Sequence, residues 1–526
     1  MSDNDPTATV DSAEAVPVLS PRRRRGVLAV VALALMMVVS AVSGLNVALP
    51  DLTIDTGASQ TQITWIVDAY TLVFAGLLLS AGALGDRFGR KGVLLIGLGV
   101  FGAAAGAAMI TSSPEALILL RAAMGVGAAA VMPVTLSIIT TSFPPQERGK
   151  AVGIWVGVAG GGAVLGLFAS GLLLELYAWN SFFGLNVVLA LLAFVGTLLL
   201  IPPSRDSHPP RMDPIGALLS LVGVASLVYG IIEVSARGWG DPVIVVAYGL
   251  AVLASTAFVL WELRRDQPLL DPRLFRLRGF STGSLALTIQ FFGSFGMFFT
   301  MLQYLQYVTG RSPLGAAMAL LPMPFVMIPV ARNAPRVAER FGIRWVVPVG
   351  LVLSATGLFL MSRLGVDLVY WHFAVALVVF AAGMGLAGTP ATTAIVSSLP
   401  PSKQGVASAV NDTSRELGSA LGIAILGSVL ASGYRDALMA SGALAGMPAQ
   451  VVERTTSSIA FVRAGAEQIA AMGPAGTRLV DAAEQAFVDA TGRALLVGAG
   501  ALLLGAVLVA LRAPGRVVGG DRPSPR

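Results

Sequence analysis

Long apolar runs alternate with short polar segments along nearly the whole chain. A bilayer core of about 30 Å needs about 20 residues in a helix, and the runs are close to or above that length. Because the runs are continuous and do not alternate with a period of two, they predict helices rather than barrel strands. Fourteen transmembrane helices are predicted, at approximately 26–49, 63–84, 92–110, 115–139, 151–174, 182–201, 214–232, 243–261, 280–303, 313–330, 345–361, 371–395, 405–431 and 494–511.

Basic residues concentrate in the loops on one side of the predicted membrane. If the N-terminus lies inside, the inner segments hold 25 of the 35 Lys and Arg residues, whereas the short outer loops hold three. An excess of Lys and Arg is typical of cytoplasmic loops. We therefore expect a multi-pass protein of the cell (inner) membrane with both termini cytoplasmic, a disordered tail at 1–25 and a second tail at 512–526.

The composition removes several classes of function. The chain is 55% apolar and 12% charged, with no Cys and two His. It therefore has no disulfide framework, no thiol nucleophile and no Cys-ligated or multi-His metal site. The sequence of a phosphate-binding P-loop is absent, so direct use of ATP is not expected. A membrane enzyme and a channel stay open as alternatives, although no nucleophile, base and acid set is visible within the helices. We expect no catalytic residues, no metal and no nucleic-acid partner.

The sequence contains an internal repeat. Residues 82–97, GALGDRFGRKGVLLIG, match 335–350, PRVAERFGIRWVVPVG, at an offset of 253, and residues 144–166 match 400–422 at an offset of 256. Helices 1–6 are therefore predicted to recur as helices 9–14, in six-helix halves at 26–205 and 266–511. Helices 7 and 8, at 206–265, are an insertion that we expect to lack interior charges and to face lipid. Residues 434–493 are expected to form an outer helical hairpin, which either caps the outer vestibule, binds a partner or is inert.

The segment GALGDRFGRKG resembles the loop 2–3 signature of the major facilitator superfamily. With fourteen spans, residues 26–511 resemble the QacA/EmrB-type drug–proton antiporter family, and NVALPDL (46–52), WIVDAYTLVFAG (65–76) and NDTSRELGSALG (411–422) match it as well. The resemblance implies an all-α membrane protein with the major facilitator fold, two six-helix halves plus two inserted helices. It further implies a monomeric, proton-coupled exporter of hydrophobic or cationic small molecules or drugs that uses the proton gradient and no cofactor.

The chain departs from that family at two places. Ala41 stands where helix 1 of the family usually has an Asp, and the glycine-rich stretch of helix 5 lacks the usual Gly-Pro pair. These departures keep a second hypothesis open, which is export of one endogenous metabolite, antibiotic or lipid with narrow specificity.

Predicted helices 2 and 4 each carry a charged residue well inside the span. Asp68 and Arg121 lie about 8 Å and about 9 Å from the outer ends of their helices, so an ion pair between them is expected. Competition between a proton and Arg121 for Asp68 is a plausible coupling step, and the resemblance associates the Arg of this helix 4 motif with proton translocation. The alternative is a structural ion pair that fixes helix packing.

Helix 13 carries three further charges at intramembrane depth. Asp412 and Glu416 are four residues apart and share a helix face, and Arg415 can neutralise one of them. The predicted proton-coupling residues are Asp68, Arg121, Asp412 and Glu416. The predicted substrate cavity contains Asn46, Asp68, Gln290, Asn411, Asp412, Arg415 and Glu416. The alternative places the helix 13 charges at the membrane interface, in contact with water.

Two further groups are assigned to movement and packing. The inner loops after helices 2 and 10 are expected to gate the transporter by contacting helix ends of the other half, rather than only to orient the chain. These gating residues are Asp86, Arg87, Gly89, Arg90, Lys91, Glu339 and Arg340. In helix 5, three small residues are expected to allow close helix approach, with a flexible rocking contact as the alternative. These packing residues are Gly157, Gly162 and Gly166.

Overall fold

A computed structural model describes residues 20–204, 213–266, 268–400, 404–471 and 473–514, and these residues form helices and no strand. The first half consists of α1 (Pro21–Ser43), α2 (Leu45–Thr56), α3 (Gln60–Phe88), α4 (Arg90–Ala108), α5 (Pro114–Ser142), α6 (Pro145–Leu176) and α7 (Ser181–Leu200). The inserted pair is α8 (Pro214–Arg237) and α9 (Pro242–Glu262), followed by a short 3-10 helix, Pro272–Arg276. The second half consists of α10 (Arg278–Tyr307), α11 (Pro313–Ala319), α12 (Pro322–Phe341), α13 (Ile343–Met361), α14 (Tyr370–Ser397), α15 (Gln404–Ala440), α16 (Ala449–Ser457), α17 (Ile459–Ala464), α18 (Ala466–Ala471) and α19 (Pro474–Arg512).

The helices have the lengths and composition expected of membrane spans. Within the described residues, 13 helical segments are long and apolar enough to cross a membrane, one of them being α11 and α12 together. The remaining predicted span corresponds to α6, which contributes a shorter apolar stretch at Leu165–Leu176. The predicted fold class is therefore confirmed: the chain is an all-helical membrane protein of two six-helix halves with two helices between them.

The internal repeat is visible in how the helices pack. α6 packs against α1, and α15 packs against α10 in the same way in the second half. A Cβ added at Gly166 would lie 2.7 Å from Cα of Ser40, and one at Gly422 would lie 2.2 Å from the carbonyl oxygen of Phe292. Side chains do not fit at such distances, so glycine allows each pair of backbones to meet.

Two turns that correspond in the repeat have the same unusual backbone. Gly89 joins α3 to α4 with φ +100, and Gly342 joins α12 to α13 with φ +85. Because residues with a Cβ rarely adopt such angles, glycine is required at both turns. Each turn also follows an arginine, Arg87 or Arg340, whose guanidinium lies 5.9 Å or 5.5 Å from the ring of the next residue. We call this end of the bundle the basic end, and the opposite end, with residues 441–473, the loop end.

Span 1 is divided into α1 and α2 at Gly44, but Gly44 keeps helical angles, with φ −66 and ψ −31, and its N–H donates to the carbonyl of Ser40 at 2.8 Å. The span is therefore close to the single helix that the sequence predicted. A Cβ at Gly44 would lie 2.3 Å from Oγ of Ser170 and 2.9 Å from the ring of Phe182, so close packing requires glycine. α1 packs against α6 and α7 of its own half. α2 also packs against α10, α11 and α17, so it forms part of the contact between the halves.

The inserted helices are more than a lipid-facing pair. α8 packs against α9, but also against α3 of the first half and α15 of the second. The sequence predicted that the pair lacks interior charges, and a glutamate follows each predicted helix directly: Glu233 near the end of α8 and Glu262 as the last residue of α9. The side chain of Glu233 is 18% exposed and accepts a hydrogen bond from Nε1 of Trp65 at 2.8 Å, and Glu262 is 1% exposed.

An ionised carboxylate links the inserted pair at the basic end. Asp213, which precedes α8, accepts hydrogen bonds from the Gly216 N–H at 2.9 Å and from Nε1 of Trp261, and it lies 3.6 Å from Nε of Arg265. Burial alone raises the pKa of Asp213, but the hydrogen bonds and the cation outweigh this effect and bring the pKa below its usual range. The carboxylate therefore stays charged at neutral pH and ties α8 to α9.

Residues 434–493 do not form a separate helical hairpin. α15 continues to its end at Ala440, and three short helices, α16 to α18, follow. The predicted turn lies at Gly473, with φ +98, but the helix after it continues without interruption through the last span to Arg512. The second arm of the expected hairpin is therefore the start of span 14, because no Pro follows Pro474 to end the helix.

The two halves meet at the loop end. Gln60 donates a hydrogen bond to Oε1 of Gln303 at 3.1 Å, and Gln306 donates to the carbonyl of Val47 at 3.1 Å. The halves also meet where α3 packs against α15 and where α6 packs against α11. These contacts bring the two halves together above a central cavity.

Candidate functional site

A cavity of about 1180 Å³, including its open part, lies between the halves. The first half contributes Val38, Val39, Val42, Ser43, Asn46, Phe74, Met132 and Leu167. The second half contributes Phe291, Ser294, Phe295, Phe298, Met323, Pro324, Met327, Met384, Arg415 and Glu416. Most of these side chains are apolar, and the unbranched Met side chains can adapt to ligands of different shape.

Arg415 and Glu416 are the charged side chains among these lining residues. The guanidinium of Arg415 lies over the ring of Phe291 at 4.6 Å, and its Nη1 is 4.0 Å from Oδ1 of Asp412. Nε of Arg415 and Oε2 of Glu416 are buried and have no hydrogen-bond partner among the described residues. The cavity therefore offers one cation and one carboxylate to a ligand within an apolar wall.

Three of the seven predicted cavity residues line the cavity, and four do not. The residues in the wall are Asn46, Arg415 and Glu416. The residues absent from it are Asp68, Gln290, Asn411 and Asp412.

Helix geometry explains part of this correction. Asp68 precedes Phe74 by six residues, or about 600° of rotation, so the two side chains leave α3 in different directions. Gln290 uses its amide to bind the carbonyl of Met384 at 2.8 Å, which ties α10 to α14. Asn411 donates to Oδ1 of Asp412 at 3.1 Å.

Asp68 and Arg121 are both fully buried, but they do not form the expected ion pair. Nε of Arg121 donates to the carbonyl of Ile66 at 3.0 Å, and the guanidinium lies 4.4 Å from the ring centroid of Tyr70. The Arg121 guanidinium therefore already has two acceptors. They are a backbone carbonyl of α3 and the face of an aromatic ring. Both carboxylate oxygens of Asp68 lack a hydrogen-bond partner among the described residues.

Sequence reasoning missed Tyr70. Its hydroxyl donates to the carbonyl of Val38 at 2.9 Å, and its ring carries Arg121 on one face. Tyr70 therefore connects α5 and α3 to α1 directly behind the cavity wall, to which Val38 belongs. The sequence did contain a signal for this role. Tyr70 stands two residues after Asp68 inside a predicted span, and a tyrosine hydroxyl inside a membrane needs a hydrogen-bond partner.

The basic-end residues make contacts within their own halves. Nζ of Lys91 donates to the carbonyl of Leu198 at 2.8 Å, and the N–H of Arg90 donates to the carbonyl of Ser204 at 2.9 Å. Glu339 and Arg340 are exposed. The side chain of Asp86 lies outside the described residues. The expected contact of these loops with the other half therefore stays a prediction.

The predicted packing glycines differ in their surroundings. An added Cβ at Gly166 would meet the backbone of α1, whereas one at Gly162 would lie 3.6 Å from Cβ of Val39, an ordinary contact distance. The surroundings of Gly157 lie outside the described residues. Within the part of the chain that the structure describes, no cluster of His, Asp or Glu is arranged to hold a metal ion.

Comparison with known proteins agrees with this architecture. Residues 31–423 match the family model of the Major Facilitator Superfamily. The chain is 36% identical to the puromycin resistance protein pur8 of Streptomyces alboniger, over 85% of this chain and 91% of that protein. It is 33% identical to the multidrug efflux pump LfrA of Mycolicibacterium smegmatis, over 93% and 96% of the two chains. It is 32% identical to the tetracenomycin C resistance and export protein of Streptomyces glaucescens, over 92% and 90%.

Solved structures share the fold at low sequence identity. A bacterial homolog of the human lysosomal transporter Spinster, in an inward-facing conformation, matches with a TM-score of 0.66 and 18% identity over 94% of this chain and 98% of that one. A D-xylose-proton symporter matches with a TM-score of 0.60 and 13% identity over the same shares of the two chains. From the family match, the relatives and the shared fold, the chain belongs to the major facilitator superfamily.

Proposed function

We propose that the chain exports hydrophobic or cationic small molecules, drugs among them, in exchange for protons by alternating access. The observation that carries this proposal is the apolar cavity between the halves, whose wall contains Arg415 and Glu416. Relatives named for multidrug efflux and for antibiotic resistance and export support the direction and the substrate class. The family and the fold are those of transporters rather than enzymes.

Glu416 is the residue that we assign to the exchange of substrate and proton. Its carboxylate reaches the cavity and has no hydrogen-bond partner among the described residues. A negative charge there attracts a cationic substrate, whereas a bound proton removes that attraction, so substrate and proton compete. Asp412 lies one turn away with Arg415 between them. Asp68 and Arg121 are buried ionisable groups outside the wall, unpaired with each other, and we assign them to proton movement.

Alternating access assigns roles to the two ends of the bundle. Contacts between the halves at the loop end close that side, as expected of a state in which the cavity opens toward the basic end. The gating residues of the two inner loops, 86–91 with 339 and 340, then close the basic end when the loop end opens. We propose that the basic end is cytoplasmic, with both termini inside, and that the transporter works as a monomer in the inner membrane.

A second candidate is export of a single endogenous metabolite or antibiotic. The first-half wall supplies Ser43 and Asn46 as its polar groups, and Ala41, at the position of the usual helix 1 acid, is fully buried. One carboxylate in the cavity recognises fewer kinds of cation than two, which favours a narrower substrate range.

Transport in proteoliposomes tests the proposal. We expect an imposed pH gradient to drive ethidium movement by the wild-type protein and a protonophore to abolish it. Glu416→Gln is expected to reduce the gradient-driven rate about tenfold or more, because the amide neither ionises nor carries a proton. Glu453→Gln, which removes an exposed acid from α16, is the matched control and is expected to behave as wild type.

The outcomes separate the candidates. Wild-type coupling in the Glu416→Gln protein would remove Glu416 from the exchange mechanism. Gradient-driven movement of puromycin but not of ethidium would favour the narrow exporter. Equal rates with and without the gradient would contradict proton coupling.

A further inference from the structure

A second groove lies at the loop end, away from the central cavity. It is formed by the end of α13 and the loop after it, together with one stripe of α19, and its volume including the open part is about 740 Å³. Its lining residues are Ser362, Arg363, Leu364, Gly365, Gln485, Val488, Asp489, Gly492, Arg493 and Leu496. A Cβ at Gly492 would lie 2.9 Å from the carbonyl of Ser362, so glycine brings α19 against this loop.

We propose that this groove binds the phosphodiester headgroup of an anionic membrane phospholipid, through Arg363 and Arg493. Both arginines are exposed and neither forms an ion pair among the described residues. Arg363 lies over the ring of Phe359 at 4.9 Å, which orients its guanidinium without neutralising it. Guanidinium groups bind phosphate oxygens through paired hydrogen bonds, so two of them on one groove suit a phosphodiester.

Of the other two basic residues of the short loops at this end, one has an acidic partner, and the other, like Arg363, lies over an aromatic ring. Arg237 pairs with Glu233 at 3.3 Å, and Arg311 lies over the ring of Tyr370 at 5.5 Å. The short loops at this end contain few Lys and Arg residues, so a cation here is also an exception to the charge bias of the loops. Arg363 therefore has neither an acidic partner nor a topological reason to be basic.

The charge of the groove favours an anion over a neutral headgroup. Two arginines outnumber one carboxylate, and Oδ1 of Asp489 already accepts a hydrogen bond from Nε2 of Gln485 at 2.9 Å. The excess charge of the groove is thus positive, and an anionic headgroup neutralises it. A zwitterionic headgroup leaves it uncompensated.

The helices below the groove have the surface that acyl chains need. Along α19, Leu496 is 43% exposed and is followed by exposed Leu503 and Leu504. On α13, Phe359 and Leu360 are exposed beside Arg363. A lipid headgroup in the groove therefore places its chains against apolar side chains, whereas a free phosphate ion gains nothing from them.

Native mass spectrometry of the whole detergent-purified protein tests the proposal. The protein is titrated with phosphatidylglycerol and, separately, with phosphatidylcholine of the same acyl chains. We expect tighter binding of phosphatidylglycerol, a loss of about fivefold in its affinity for Arg363→Gln or Arg493→Gln, and about 25-fold for the double variant. Arg478→Gln removes an exposed arginine at the same end but outside the groove, and is expected to change the affinity less than twofold.

Three results would overturn the inference. Wild-type affinity in the double variant excludes the two arginines, and equal binding of the two lipids excludes recognition of an anion. Displacement of phosphatidylglycerol by millimolar inorganic phosphate alone identifies a free-anion site instead. Because the readout is lipid binding, the test does not depend on any transport activity, and monodisperse elution of each variant checks that it is folded.

Discussion

At the scale of single residues, Asp68 differs from the other described acids because both of its carboxylate oxygens, not one, are buried without a hydrogen-bond partner. It is 0% exposed, and its two oxygens accept no hydrogen bond from a described residue. A charge in such surroundings costs several kcal/mol unless a proton or a cation neutralises it, which is the behaviour expected of a proton carrier. A purely structural carboxylate, in contrast, has its partners in place.

Asp68→Asn separates these two roles. We expect the variant to unfold at the same temperature as wild type or a higher one, because the amide has no charge to bury, while proton-driven transport falls. Fluorescence-monitored thermal unfolding in detergent measures the first effect, and proteoliposome transport measures the second. A clear fall in unfolding temperature together with intact transport would mean that the carboxylate is structural.

Two glycines four residues apart in α6 give a matched pair of variants. Gly166→Ala places a methyl group 2.7 Å from the backbone of Ser40, so we expect a destabilisation of about 1–3 kcal/mol. Gly162→Ala meets Val39 at 3.6 Å and gains helix propensity, so its stability is expected to change by less than about 1 kcal/mol. Thermal unfolding of the two proteins side by side measures the difference, and equal destabilisation would contradict the packing described here.

At the scale of helices, the sequence predicted what depends on length and repetition. Apolar runs and charge bias are properties of whole segments, so the span count and the repeated halves follow from them. The direction of a side chain was not predictable, because a helix that is apolar all round gives no contrast between faces. This is why Asp68 and Asp412 were assigned to the cavity wall, whereas Phe74 and Ser43 were not.

Ends and breaks of helices were the other source of error. Glu233 and Glu262 each lie one residue past a predicted end, and the helices end at Arg237 and at Glu262 itself. The need for glycine at position 44 depends on Ser170 and Phe182, which are distant in sequence. Such features arise from tertiary contacts and leave no local signal.

The inserted helix α8 connects the two halves at the loop end. Trp65 of α3 donates to Glu233 of α8 at 2.8 Å, and Arg435 of α15 donates to the carbonyl of Ser235 at 3.0 Å. When α3 and α15 separate at this end, α8 can stay with one of them only. We therefore expect α8 to favour the state that is closed at the loop end.

Trp65→Phe tests this role, since it removes the donor and keeps an aromatic ring beside Tyr229. We expect a larger fraction of molecules open at the loop end, measured by pulsed electron resonance between spin labels at Thr61 and Met439. Trp239→Phe, at a residue that is 74% exposed, is the control. An unchanged distance distribution in Trp65→Phe would show that α8 follows the movement without biasing it.

At the scale of the whole molecule, closure at the loop end gives a test of alternating access. A Cβ at Gly427 of α15 would lie 3.0 Å from Cγ2 of Thr64 on α3, so the two positions are close enough for a disulfide after modest adjustment. The chain has no native cysteine, so an introduced pair is the only one that can react.

We expect the double variant Thr64→Cys/Gly427→Cys to crosslink under mild oxidation, to lose transport, and to regain it on reduction. Gel mobility of a protease-nicked sample measures the crosslink, and the single variants control for each substitution. Full transport by the crosslinked protein would mean that the halves do not separate at this point during the cycle.

The outer part of the first span, α2, has a consequence for assembly of the chain. α2 is synthesised with the first half, yet it packs against α10, α11 and α17 of the second half. If the halves were produced as two separate polypeptides, α2 would be one of the segments of the first that recognise the second, together with α3 and α6, and its surface would stay uncovered until they met. Mutations on that face are therefore expected to impair reconstitution of the fragments more severely than they impair the intact chain, in which the partner surface is always nearby.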